Sequence, residues 1–87
     1  MLTMTESAGA HLSQMLTAVE APENTAVRII VEGEGLGLTL DNERSGDSTF
    51  EHEGKTVLLL DDPMSNLLTD KTLDVEDKGE GPKLALR

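Results

Sequence analysis

The chain contains no cysteine. That absence excludes disulfides, zinc–thiolate sites, thiolate-held iron–sulfur clusters and cysteine nucleophiles together. Tryptophan and tyrosine are also missing, and Phe50 is the only aromatic residue. Any core must therefore be aliphatic. Basic residues are scarce, 7 against 17 acidic ones, and the net charge is −10. Such a surface repels phosphate backbones and anionic lipid, so nucleic acid and membrane surfaces are not expected partners. No long apolar run occurs; Val57-Leu58-Leu59-Leu60 is the longest. A bilayer span needs roughly 20 apolar residues. The opening Met1-Leu2-Thr3-Met4-Thr5-Glu6 has neither the basic start nor the apolar stretch of a secretory signal. The expectation is a cytoplasmic protein.

What is present suits one small domain over residues 1–87. Ala8, Leu12, Met15, Leu16 and Val19 form one stripe of a 3.6-residue period, which predicts a helix. Thr3 or Thr5 can cap it, and Pro22 ends it. Ala26 to Glu32 alternates as a strand, with Val27, Ile29 and Val31 on one face. After Gly33-Glu34-Gly35, a second strand places Leu36, Leu38 and Leu40 on one face, a pattern expected of a half-buried antiparallel strand. Asn42 to Ser48 reads as a polar loop.

Thr49 to Leu60 reads as a hairpin turning at Glu53-Gly54, with its returning strand buried on both faces. Asp62-Pro63 has the character of a helix start, leading into a short helix to Leu68. Leu73 and Val75 mark another strand. Asp77 to Pro82 is a charged loop, and Leu84 and Leu86 mark a final edge strand. Leu12 and Leu16 are expected to share one core with Ile29, Val31, Leu38, Leu40, Val57 and Leu59.

The candidate motifs carry little chemistry. Gly33-x-Gly35-x-Gly37 has the glycines of a phosphate loop but precedes a strand, not a helix, and holds no cation. A strand connection with unusual backbone angles is the better reading. His11 falls on the helix flank. His52, between Glu51 and Glu53, can be drawn as a divalent-metal site, as can the Asp61-Asp62 region. The carboxylates elsewhere are scattered, without the alternating oxygen ligands of a calcium loop. No serine sits in a strand–turn–helix elbow. No catalytic, cofactor-binding or metal residue is assigned.

Several local strings, taken in order, resemble the HesB/IscA family, the A-type iron–sulfur carrier and assembly proteins. They are Met1 to Ala8, Val27-Arg28-Ile29-Ile30-Val31-Glu32-Gly33, Gly46-Asp47 with Phe50, Gly54 to Asp61, Leu68, and Thr72-Leu73-Asp74. The resemblance implies an α+β fold, with an N-terminal helix on a small, mainly antiparallel β-sandwich, and association as a homodimer. It also implies three cysteine ligands: one after the glycine-rich turn, and two in a Cys-Gly-Cys pair near the C-terminus. Here the first region reads Gly33-Glu34-Gly35-Leu36-Gly37-Leu38 and the sequence ends Lys83-Leu84-Ala85-Leu86-Arg87, without a thiol. No family ligand carries over. The expectation is a non-enzymatic, cofactor-free member that binds a protein partner as a scaffold. The alternatives are a divalent-metal binder using carboxylates and His52, or an acidic inhibitory mimic.

Overall fold

The computed structural model describes residues 2–77, 79 and 81–87. The predicted loop Asp77 to Pro82 therefore lies partly outside the described residues. The chain begins with β1 (Thr3–Met4), then α1 (Glu6–Ala18), β2 (Thr25–Glu32), β3 (Gly35–Asn42), β4 (Ser48–His52), β5 (Lys55–Leu60), α2 (Asp62–Leu67), β6 (Thr72–Asp77) and β7 (Pro82–Leu86). This is an α+β fold. Four strands form one sheet in the order β3-β2-β5-β4, and three form another in the order β1-β6-β7. Both sheets are mixed. Three neighbouring pairs are antiparallel, while β1 with β6 and β2 with β5 run parallel.

Helix α1 starts where Thr5 leaves the extended region, and the Thr5 hydroxyl accepts from the Ala8 N–H at 3.1 Å. That satisfies one orphan donor of the first turn. The same hydroxyl donates to Asp74 of β6 at 2.8 Å, tying the helix start to the second sheet. The helix buries Ala8, Gly9, Leu12 and Leu16. Val19, assigned to the stripe by its spacing, is instead the C-cap residue and is exposed. Helix α2 is capped by Asp61, one residue earlier than the sequence suggests: its carboxylate accepts from the Met64 N–H at 2.9 Å, and Pro63 lies in the first turn.

One aliphatic cluster joins the elements. It holds Leu12 and Leu16 from the helix, Val27 and Ile29 from β2, and Val57, Leu58 and Leu60 from β5. Leu73 enters it from β6, with Leu84 and Leu86 of β7 packed alongside. A register shift against Phe50 and Glu51 leaves Val57 as an extra residue in β5. Such a bulge re-aims a side chain, and Val57 joins the same cluster as its neighbour Leu58. All four residues from Val57 to Leu60 are fully buried, as their run predicts.

Three residues expected in this core are not there. Val31, Leu38 and Leu40 are exposed, Val31 at 63% and the two leucines at nearly half. Leu36 is exposed as well. Val31 is the last apolar residue of β2, next to the turn, while the leucines lie on β3, which alternates as predicted and pairs antiparallel with β2 but is the edge of the sheet, where only the end of α1 comes near. Leu59 is buried but lies outside the helix's cluster, on the strand face that carries Arg28.

Candidate functional site

Edge strand β3 is built from a tight hairpin. Glu32 pairs with Gly35, so Gly33 and Glu34 alone make the connection. Gly33 has φ +60 and Glu34 does not have a positive φ, the sign pattern of a type II′ turn. The glycine motif is thus a strand connection. A two-residue connection makes Glu32 and Gly35 a hydrogen-bonded pair, and such pairs then alternate along the ladder. Ile30 with Gly37 and Arg28 with Thr39 are the next ones. The intervening residues Leu36, Leu38 and Leu40 turn their backbone N–H and C=O groups away from β2. Among the described residues no strand pairs on that side.

The same three leucines share one face of the strand, opposite Val31, Ile29 and Val27 of β2. Shallow apolar hollows flank them. One, of about 200 Å³, is shared with Met15 and Val19 at the end of α1. The other, of about 290 Å³, is shared with Leu73, Leu84 and Leu86 of the second sheet. The opposite face of β3 carries Gly35, Gly37 and Thr39, and the Glu32 carboxylate lies across the space that a Gly37 Cβ would take. The strand therefore has an apolar face, a small-residue face bearing an acid, and an open backbone edge. Sequence alternation located the leucines but could not show that they stay nearly half exposed. The available signal was Gly35 to Leu40 itself, a run without charge or proline, where edge strands normally carry both.

A second polar assembly sits beneath the loop between β3 and β4. Arg28 is 5% exposed, although strand alternation alone would place it outside. Its Nε donates to Asp41 at 2.9 Å and its Nη1 to Asp47 at 3.0 Å. Its Nη2 donates to Asp47 and to the Asn42 carbonyl. The guanidinium hydrogen bonds hold the Asp47 carboxyl below the ordinary carboxylate range. The Asn42 backbone N–H, followed by Arg44 and Arg28, does the same for Asp41. With its donors committed, Arg28 pins the loop rather than offering a binding surface. Asp47, placed in a plain polar loop by the sequence, is the residue that permits this burial.

The histidine site does not assemble. His52 packs on α1, where a Cβ built on Gly9 would fall 2.9 Å from the His52 Nδ1. Glu51 and Glu53 are exposed. Among the described residues no three His, Cys, Asp or Glu side chains converge as metal ligands. Asp61 is occupied as the α2 cap. An open groove of about 840 Å³ lies between the β2 and β5 starts, lined by Glu23, Asn42, Glu43, Lys55 and Thr56. Its lining brings together no acid–base pair of known role. No described helix is long and apolar enough to cross a membrane.

No protein-family model matches the sequence, and no curated protein matches it. Solved structures do match. The architecture is the HesB/IscA fold. The structure of Escherichia coli SufA, a protein involved in biosynthesis of iron–sulfur clusters, superposes with a TM-score of 0.71 at 24% identity. That match covers 99% of this chain and 83% of SufA. IscA, solved with a 2Fe–2S cluster, gives a TM-score of 0.67 at 15% identity, over 100% of this chain and 84% of IscA.

Proposed function

We propose that this chain is a non-enzymatic scaffold that keeps the carrier fold, has no cluster site, and acts by binding a protein partner. The half-exposed leucines and open backbone edge of β3 carry this reading. A small acidic protein rarely leaves three alternating leucines and an open backbone edge unprotected unless something covers them. The fold shared with SufA and IscA supports a role related to iron–sulfur assembly. The lack of any thiol separates this chain from cluster carriage, because protein ligands to such clusters are predominantly cysteine thiolates. Carboxylates substitute poorly, since hard oxygen matches sulfide-bridged iron badly.

Two measurements test the reading. Anaerobic reconstitution with iron and sulfide should leave no visible absorption after desalting. A protein captured on the immobilised chain should rebind once purified. Retained stoichiometric iron and sulfide, or the failure of any captured protein to rebind, overturns it.

A further inference from the structure

The geometry points to a specific occupant for the β3 edge: an extended segment of a partner protein, alternating aliphatic and basic residues, that adds to the four-stranded sheet as a fifth strand. The inference deepens the partner-scaffold reading and rests on it.

Strand addition needs an edge with free backbone groups, and pockets for alternate side chains. Leu36, Leu38 and Leu40 supply the outward backbone groups through the ladder set by the Gly33-Glu34 turn. Their side chains form the apolar face, with hollows against Met15 and Val19 on one side and Leu84 and Leu86 on the other. An incoming strand would set every second residue on that face. Those residues must be aliphatic.

The other face sets the charge. Gly35 and Gly37 present no side chain there, and the Glu32 carboxylate lies over Gly37. A long basic side chain on the added strand can cross the bare glycine backbone to reach that carboxylate. Glu34 at the turn and Glu43 beyond the strand extend the acidic frame, within a chain of net charge −10. The partner segment therefore alternates aliphatic residues with Lys or Arg.

A second copy of this chain fits less well. Pairing β3 with its own copy would set the copy's Gly35, Gly37 and Thr39 on the face of Glu32, supplying no cation to meet it, and would join two bodies each of charge −10. The like charges oppose that contact.

The probe is a fluorescent peptide of about nine residues alternating valine and lysine, long enough to span the edge. Its controls are a valine–glutamate peptide and two N-methylated forms, one methylated on the valine amides and one on the lysine amides. Leu38→Glu is the test variant. It removes apolar contact at an exposed position while adding negative charge, so attraction by charge alone would strengthen binding. Circular dichroism confirms that the variant is folded, and Leu36→Glu is the second variant should Leu38→Glu unfold.

The valine–lysine peptide should bind the native chain, and the variant about tenfold more weakly, the equivalent of about 1.4 kcal/mol. The valine–glutamate peptide should bind at least about tenfold more weakly than the lysine one. One methylation pattern, and only one, should abolish binding, because a strand offers a single edge to its neighbour. Equal or tighter binding to the variant, or equal binding of both methylated peptides, overturns the inference. So does a dimer that Leu38→Glu dissociates while the peptide fails to bind. The two readings fail separately. A purified partner that binds Leu38→Glu as well as the native chain sinks the edge assignment and spares the scaffold reading. The absence of any rebinding partner sinks the scaffold reading itself.

Discussion

Gly9 of α1 and His52 of β4 occupy a space that admits only one side chain. A Cβ on Gly9 would meet the His52 Nδ1 at 2.9 Å and its Cβ and Cγ at 3.2 Å. Glycine inside a helix normally costs about 1 kcal/mol relative to alanine. Here it buys the close approach of helix and sheet.

The Gly9→Ala variant should therefore lose stability despite its better helix propensity, by about 1 kcal/mol net, since overpacking costs about 1–3 kcal/mol. His52→Ala should relieve it. In a double-mutant cycle read by urea denaturation, the pair Gly9→Ala, His52→Ala should be more stable than the sum of the single changes. Simple additivity would show that the contact does not constrain the helix.

Leucines on this chain differ by position more than by type. Leu16, 1% exposed, meets the strands in the common cluster. Its replacement by alanine should cost about 2–5 kcal/mol. Leu40, 47% exposed on the edge strand, should cost less than about 1 kcal/mol on the same change. Equal losses in chemical denaturation would contradict the placement of β3 outside the core.

The Arg28 cluster should make the protein acid-sensitive. Asp47 is held low first by the Arg28 hydrogen bonds, and Asp41 and Asp74 are also lowered. A depressed carboxyl stabilises the fold above its unfolded value, near about 3.9, and this is lost as pH falls through the folded value. Stability should be level at neutral pH and drop below about pH 4. Asp47→Asn should cost about 2 kcal/mol at pH 7 and flatten the acid drop. The loss stays under the ~3–5 kcal/mol of an uncompensated buried charge because Asp41 still faces the guanidinium. Thermal melts of both proteins across this range would decide it; an unchanged acid limb in the variant would refute the assignment.

Local signals in the sequence located most elements. The helical stripe from Ala8 to Leu16, the Glu53-Gly54 turn and the doubly buried run Val57–Leu60 depend on neighbours along the chain, and each appears where its pattern places it. Thr5 was legible for the same reason as one of two possible caps, the other being Thr3, which lies in β1 instead. What failed depended on distant partners. Whether Leu38 is covered depends on where a helix 20 residues earlier happens to end. Whether Arg28 is buried depends on Asp47, 19 residues away across a loop. Alternation gives each strand two faces, but it does not say what lies above either of them. The leucines of β3 were therefore legible as one strand face but were assigned to the core, and their exposure was not legible.

The hydroxyl that caps the first helix also donates to Asp74, 69 residues later. The three-stranded sheet likewise takes β1 from one end of the chain and β6 and β7 from the other. A chain emerging from the ribosome can make α1 and the β2–β3 hairpin early, but α1 waits for its anchor until β6 has been synthesised. Contacts of such long sequence separation slow folding, because the loop must close before they form. Until then Leu12 and Leu16 can be covered by β2 and β5, but the first turn of α1 has no tie to the second sheet, so it is among the last parts of the fold to be fixed.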